Sequence, residues 1–279
     1  MTQRTSFSVI CCRPDPAGGV ATGTSPNSSD PTDSDPTDSD PGARDPGARD
    51  PGANRGVTAG PRAAADDQAS RAALLQVMRA CAGQPAHFVG RRPGRQIDDL
   101  LTGRLLVVGD DADLAAVVLR LLRTQRLGAV EVAYASPRRR TPVSDLWDLP
   151  RGVPAVDLAR SGEVDLVPLV RDDVGGVLVG AGYLGPVNGT AYVDELRVLR
   201  GPALRIKVEP DREKGLAVTV IHRRPLGISR RPKTVPGRAV QIGTVPTTVV
   251  RDGIPYARPM DRWTFYRHTE PLRLVRGMV

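Results

Sequence analysis

The sequence predicts an α/β domain followed by an all-β domain, with a disordered tail in front of them. Three observations support this fold class. Residues 29–53 repeat a five-residue Asp-Pro unit, residues 104–134 alternate strand and helix patterns, and short apolar runs separated by turn residues follow residue 163. We therefore expect a tail over residues 1–61, an α/β domain over residues 62–162 and a β-sandwich over residues 163–279.

The tail is predicted from composition. Each proline of the repeat lacks an N–H group and biases the preceding aspartate away from helix, and too few apolar side chains are present to offset the entropy cost of ordering. The apolar run at the start is too short for a secretory signal. No run reaches the roughly 18 apolar residues of a transmembrane helix, so we expect a cytoplasmic protein.

The cysteines give no framework for the fold. Cys11 and Cys12 fall in the predicted tail, and Cys81 makes the total an odd three. Neither a disulfide framework nor a zinc site is expected from this pattern.

The α/β domain is predicted from periodicity. Residues 62–82 place Leu74, Val77, Met78 and Cys81 on one helical face. Residues 104–108 form an apolar strand that ends at Gly109, residues 113–123 follow with a helical period, and residues 130–134 form a second strand. A strand–helix–strand unit is typical of a parallel sheet. A short helix is expected over residues 154–162.

The β-sandwich is predicted from ten short apolar runs between residues 164 and 275. Glycine, proline and Asx-Gly pairs separate these runs. Asn188-Gly189 and Asp252-Gly253 are predicted hairpin turns. The pattern favours a sandwich or an open barrel.

Charge is distributed unevenly along the chain. The predicted tail has eight Asp and five Arg, which give it a net charge of −3. Because the whole chain has a net charge of +8, the remainder carries +11. A basic body suggests polyanion partners, although an arginine-rich composition can also carry no function. No specific nucleic-acid motif is present. Basic groups at 138–140, 223–224, 230–231 and Lys233 predict weak electrostatic contact with an anionic membrane.

The order of these signals resembles the diacylglycerol kinase catalytic-domain superfamily, the bacterial lipid kinases related to sphingosine kinases and NAD kinases. That family has a strand ending in Gly-Gly-Asp-Gly-Thr, where this chain has residues 109–113. A late strand precedes Asp-Gly-Glu in the family, where this chain has residues 238–242 and then 252–254. The resemblance implies a truncated NAD-kinase-like α/β domain that binds ATP, and a sandwich that helps form a lipid site. Gly109 and Asp111 are the implied cofactor-binding residues, for ATP and Mg²⁺ if the protein is active.

The chain departs from the family where phosphate should bind. Asp110, Ala112 and Asp113 replace Gly, Gly and Thr, and Ile254 replaces Glu. Glycines let backbone N–H groups approach phosphate, and three carboxylates repel a triphosphate that lacks Mg²⁺. We therefore expect a pseudoenzyme with a degenerate nucleotide site. It would be a non-catalytic binding or regulatory protein that takes a lipid, nucleotide or protein partner in its interdomain cleft.

Two alternatives remain open. One is a divergent ATP-dependent diacylglycerol or lipid kinase, in which Asp111 positions Mg²⁺ and phosphate. The other is a Rossmann-like or receiver-like regulatory domain fused to a β module, with Asp110 and Asp111 as an acidic pocket for a cation. The lysines, Lys207, Lys214 and Lys233, all lie in the β half, which argues against a receiver. No catalytic residue and no resident metal site are assigned.

Overall fold

The computed structural model describes residues 6–13, 61–137, 140–222 and 232–277, with the backbone alone for residues 61–67. The helices are α1 (Pro61–Ala80), a 3₁₀ helix (Arg95–Leu100), α2 (Asp111–Arg123), α3 (Pro142–Leu146) and α4 (Val153–Ser161). The strands are β1 (Ser8–Arg13), β2 (Ala86–Gly90), β3 (Arg104–Val108), β4 (Glu131–Ala135), β5 (Glu163–Val167), β6 (Val170–Asp172), β7 (Val177–Leu178), β8 (Gly182–Leu184), β9 (Val187–Val193), β10 (Leu196–Ala203), β11 (Arg205–Asp211), β12 (Gly215–Ile221), β13 (Thr234–Gly237), β14 (Ala239–Thr247), β15 (Val249–Arg251), β16 (Ile254–Pro255), β17 (Met260–Arg267) and β18 (Leu272–Gly277).

The first sheet is six-stranded, in the order β2-β1-β3-β4-β18-β5. Its strands are parallel except β5, which runs antiparallel to β18. Side chains of a strand alternate between faces, so Ile10 and Cys12 pack in the core beneath α2, while Val9 and Cys11 pack with residues of α1 and α4 on the other face. Helices thus cover both faces, as a mostly parallel sheet requires.

The prediction that residues 1–61 form a disordered tail is wrong for Ser8–Arg13. These residues form β1, which pairs in parallel with both β2 and β3. Val9, Ile10 and Cys11 are each fully buried. The run Ser-Val-Ile-Cys-Cys supplies an apolar strand whose partners all lie beyond residue 85, so local composition did not reveal it. The Asp-Pro repeat at 29–53 lies outside the described residues.

The first sheet also takes strands from beyond the predicted boundary at residue 162. β5 lies at one edge, and β18 lies between β4 and β5, although both fall in the range predicted for the sandwich. The chain therefore leaves the α/β unit after β5 and returns to it at β18. The sandwich is the segment between these two strands.

The all-β unit consists of two six-stranded sheets, β10-β9-β14-β17-β6-β7 and β13-β12-β11-β8-β15-β16. Their inner faces enclose one core, in which Trp263 and Phe265 are fully buried. The predicted fold class, an α/β domain followed by a β-sandwich, is confirmed.

One of the two predicted hairpin turns is wrong. Asn188 and Gly189 lie within β9, paired with Pro202 and Gly201 of β10. A Cβ on Gly189 would lie 2.0 Å from the carbonyl oxygen of Gly243 in β14, so the glycine permits close approach of two strands. The other turn is confirmed: Asp252 and Gly253 have φ of 46° and 85° and connect β15 to β16.

The α/β unit presents the carboxyl ends of β1, β3 and β4 at one edge of its sheet, where open α/β sheets bind ligands. The first turns of α2 and α3 follow at this edge. Within the described ranges, no helix is long and apolar enough to cross a bilayer.

Candidate functional site

The candidate site is built around the loop between β3 and α2. β3 ends at Val108, Gly109 and Asp110 form the loop, and α2 begins at Asp111. The first N–H groups of a helix have no partner within the helix, so such an end can bind an anion. In this chain the acceptors come from its own aspartates.

The Asp113 carboxylate fills the loop. Its Oδ2 accepts a hydrogen bond from the backbone N–H of Asp110 at 2.9 Å, and its Oδ1 accepts one from the backbone N–H of Arg92 at 2.8 Å. The Arg91 guanidinium contributes a third contact, with Nε 2.9 Å from Asp113 Oδ2, and also pairs with Asp110. Asp113 is fully buried. Two backbone donors and a guanidinium therefore hold one internal carboxylate in an anion-binding arrangement.

Gly109 makes room for this carboxylate. A Cβ at Gly109 would lie 2.6 Å from Asp113 Oδ2 and 2.9 Å from Asp113 Cβ, distances that no real side chain tolerates. The absence of a side chain at Gly109 is therefore explained by the packing of Asp113. Its assignment as a cofactor-binding residue stays a prediction.

Sequence reasoning did not find Arg91 and Arg92. They follow β2, whose five residues were not predicted as a strand. The signal was present: a short apolar run, Phe88-Val89, ends in Gly90 and leads into charged residues, as β3 does at Gly109. Both loops end strands on the same side of a parallel sheet, which brings Arg91 to Asp110 and Asp113.

Asp111, the second predicted cofactor-binding residue, points into the protein. Its Oδ1 accepts a hydrogen bond from the Tyr134 hydroxyl at 2.7 Å, and its Oδ2 accepts one from the backbone N–H of Val143 in α3 at 3.2 Å. Only 6% of the residue is exposed. Burial raises the pKa of Asp111 above its ordinary value, although these hydrogen bonds oppose the shift. The side chain joins α2, β4 and α3.

Asp252 lies on the sandwich side of the same junction. Its carboxylate accepts hydrogen bonds from the backbone N–H groups of Val179, Gly180 and Ala181, at 3.1, 2.8 and 3.2 Å. Burial raises the pKa of Asp252 from 3.8 to about 7, and the charge of Asp111 acts in the same direction. A Cβ on Gly180 would lie 3.0–3.1 Å from atoms of Val143, Asp252 and Pro142, so the two units are in close contact here.

Of the basic group at residues 138–140, only Arg140 is described, and it makes no contact with the loop. Arg138 and Arg139 lie outside the described residues, and Arg140 is exposed, with its Nε 3.7 Å from Asp145. Among the described residues, no three His, Cys, Asp or Glu side chains are grouped to hold a metal ion. The predicted acidic cation pocket at Asp110 and Asp111 is not formed, because Asp110 pairs with Arg91 while Asp111 turns inward.

A small cavity lies where the two units meet. It holds about 10 Å³, roughly the space of one water molecule. Its walls are almost all apolar: Leu114, Val143, Trp147, Val167, Pro168, Leu169, Leu178, Val179, Leu272 and Leu274. This part of the junction is therefore apolar and closely packed.

Comparison with known proteins identifies the fold. A diacylglycerol kinase structure from Bacillus anthracis str. Sterne superposes with a TM-score of 0.54 at 11% identity, covering 74% of this chain and 91% of that one. This chain has the fold of a diacylglycerol kinase. An NAD kinase from Archaeoglobus fulgidus in complex with ATP gives a TM-score of 0.48 at 14% identity, over 72% of this chain and 88% of that one. No protein-family model and no curated protein sequence matches the chain.

The diacylglycerol kinase fold confirms what the order of sequence signals implied. The likeness concerns the fold alone, because identity is far below the level at which activity is shared. What the site does must be argued from its own side chains, and these differ from a phosphate loop at Asp110, Ala112 and Asp113.

Proposed function

We propose that this chain is a non-catalytic binding or regulatory protein, in which an internal carboxylate has replaced the nucleotide phosphate of a lipid-kinase fold. The observation that carries the proposal is the position of Asp113. Its carboxylate accepts hydrogen bonds from the backbone N–H groups of Asp110 and Arg92 and from the guanidinium of Arg91. These are the donors that a phosphate would need.

Electrostatics strengthen the proposal. A phosphate entering this loop would displace Asp113 from a fully buried position and leave its charge without partners. If Asp113 stayed in place, each pair of like charges about 4 Å apart would cost about 4 kcal/mol near a protein surface. Arg91 is already shared between Asp110 and Asp113 and cannot neutralise a triphosphate as well.

A divergent lipid kinase remains the second candidate, because Asp111 occupies the matched motif position and burial raises its pKa, a feature common at active sites. The contacts of Asp111 weigh against this candidate. Both carboxylate oxygens accept hydrogen bonds inside the protein, from Tyr134 and Val143. A metal ligand or general base needs an oxygen that faces the substrate.

The cavity at the interdomain junction is apolar but holds only about one water molecule, and the nearby carboxylates are engaged by the protein itself. The partner that we propose, a lipid, a nucleotide or a protein, therefore binds outside this cavity. We place the protein in the cytoplasm, a proposal supported by Cys11, Cys12 and Cys81, which are all buried and unpaired.

Calorimetric titration with Mg-ATP and with inorganic phosphate tests the internal-anion proposal. We expect wild-type protein to bind neither ligand with a Kd below about 1 mM. Asp113→Thr should bind phosphate at least about tenfold more tightly than wild type does, because the substitution releases three hydrogen-bond donors. Asp99→Asn, a change at an exposed carboxylate elsewhere, is the matched control and should behave as wild type. Micromolar binding of Mg-ATP by wild type would reject the proposal and promote the divergent kinase.

A further inference from the structure

The outer face of the sheet β10-β9-β14-β17 carries a group of basic and polar side chains that the candidate site does not use. We call it the arginine face. Its first row runs Arg197–Tyr192–Gln241–Thr264, and its second row runs Arg200–Thr190–Gly243–Arg262. Neighbouring strands are about 4.8 Å apart, so the second row spans about 14 Å from Arg200 to Arg262. The opposite face of these strands forms the sandwich core.

The three arginines of this face have no acidic partner. Arg197, Arg200 and Arg262 are all exposed, and no carboxylate of the described residues lies within ion-pair distance of them. The nearest acidic residues in the chain are Asp194 and Glu195, in the turn before β10, and Asp261, which directly precedes Arg262 in β17. In a protein where many arginines are paired with aspartate or glutamate, these three leave a concentrated positive field.

Gly243 forms a recess at the centre of the second row. A Cβ there would meet nothing within 4 Å, and the residue is not in the left-handed region. Neither packing nor backbone conformation in the protein therefore requires glycine at this exposed strand position, although the register of β14 with β17 becomes irregular after it. A strand glycine can mark a bulge, the close approach of another backbone or the approach of a ligand, and the open space at Gly243 lies on the exposed face.

Tyr192 adds an aromatic ring beside the recess. It is 40% exposed and pairs across the sheet with Arg197 on one side and Gln241 on the other. No ring or cationic group of the described residues stacks on it. An exposed ring between a guanidinium and an amide can stack a planar base, while the arginines take phosphate bidentately.

We propose that the arginine face binds single-stranded nucleic acid. Three unpaired arginines match a chain of phosphates, Tyr192 supplies a stacking surface, and Gly243 leaves room for the strand to lie close to the sheet. An anionic bilayer would also be attracted by the charge and can accommodate an interfacial tyrosine, but it makes no use of the recess at Gly243. Single-stranded nucleic acid accounts for all three features.

The first test measures anisotropy of a labelled single-stranded oligonucleotide of about 16 nucleotides, the upper site size of one binding module. We expect Arg197→Gln/Arg200→Gln/Arg262→Gln to weaken binding at least about tenfold. Arg79→Gln/Arg95→Gln/Arg123→Gln removes the same charge from exposed positions on the α/β unit and should change affinity by less than about threefold. An equal loss in the two triple variants would overturn the proposal, since net charge alone would then explain binding.

Salt dependence and the ring separate nucleic acid from membrane. Three phosphate contacts predict a slope of about −2 for log affinity against log salt, which the arginine-face variant should lose. Tyr192→Ala should weaken binding about tenfold, and Tyr192→Phe should restore it because stacking needs only the ring. Failure of wild type to bind the oligonucleotide, or binding that Tyr192→Ala leaves unchanged, rejects the proposal. Binding only to phosphatidylserine vesicles rejects it in favour of a membrane.

Discussion

Asp113 is the residue that determines the chemistry of the loop between β3 and α2. The side chain reaches back from the first turn of α2 to the Asp110 amide, a common capping contact that stabilises helix starts. Here the contact is extended by Arg91 and the Arg92 amide from a neighbouring loop. The sequence places Asp113 at a cap, but only the fold shows that the cap occupies the anion position.

The buried carboxylate of Asp252 makes stability depend on pH. Its pKa in the folded protein is about 7, against 3.8 for an exposed aspartate, so the folded state binds this proton more tightly than the unfolded chain. Between these pH values, raising the pH therefore lowers the free energy of unfolding, by about 1.4 kcal/mol per pH unit.

Urea unfolding of wild type and Asp252→Asn between pH 4 and pH 8 measures this dependence, because asparagine keeps the shape but does not titrate. As the pH rises, the free energy of unfolding of wild type should fall relative to that of Asp252→Asn. The difference between the two proteins should become constant above about pH 7. A difference that is constant across the range would show that Asp252 has an ordinary pKa.

At the scale of elements, β1 is the strand on which the first sheet depends. It lies between β2 and β3, and Ile10 is fully buried against residues of the α2 side. We expect Ile10→Ala to lower the free energy of unfolding by about 2–5 kcal/mol, as for other large-to-small changes in a core. Deletion of residues 1–13 should prevent folding, since β2 loses its neighbour in the sheet and one edge of β3 is exposed.

Deletion of residues 29–53 is the matched control for β1, because it removes the Asp-Pro repeat and keeps Ser8–Arg13 and α1. Thermal midpoints of this variant and wild type should agree within about 2 °C. A drop of many degrees would contradict the prediction that the repeat has no packing role. Circular dichroism melts of the two deletions and Ile10→Ala compare all three directly.

The elements predicted best were the helix α1 and the strand–helix–strand unit β3–α2–β4. Residues 62–82 matched α1 and residues 104–134 matched β3, α2 and β4, because each carries a full period of apolar positions. β1 and β2 were missed because no short helical segment joins them as α2 joins β3 to β4, and their partners are distant in sequence. Asn188-Gly189 was misread because a glycine that permits close strand packing has the same signature as a turn.

The candidate site was predicted less completely than the fold. Gly109 and Asp111 were located from a motif, yet the groups around them come from α2, β4, α3 and the loop after β2. Arg91, Tyr134 and Val143 reach the loop only after the sheet is assembled, so no local pattern identifies them. Long-range contacts of this kind decide whether a motif position faces a ligand or the interior.

At the scale of the whole molecule, the α/β unit and the sandwich are joined by two strands. β5 leads out of the first sheet into β6, and β18 returns from β17. Arg276 in β18 donates from its Nε to the carbonyl of Trp147 at 3.0 Å and from Nη1 to Asp165 in β5 at 2.7 Å. The chain segments on both sides of the sandwich are therefore anchored in the first sheet.

We expect the two units to unfold in one transition. The chain has two tryptophans, and Trp147 lies in the core of the α/β unit while Trp263 lies in that of the sandwich. Fluorescence of Trp147→Phe reports the sandwich alone, and that of Trp263→Phe reports the α/β unit. Each urea midpoint should coincide with the circular dichroism midpoint of the same variant. A fluorescence transition separate from the circular dichroism transition in either variant would show independent domains.

The position of β18 also fixes an order of events during synthesis. The ribosome makes β1 to β5 first and the strands of the sandwich next, and β18 emerges after all of them. Until then β4 and β5 have no strand between them, whereas the sandwich has every strand it needs. The nascent chain therefore contains every strand of its second unit before it contains every strand of its first, and the edge of β4 has no partner until β18 arrives.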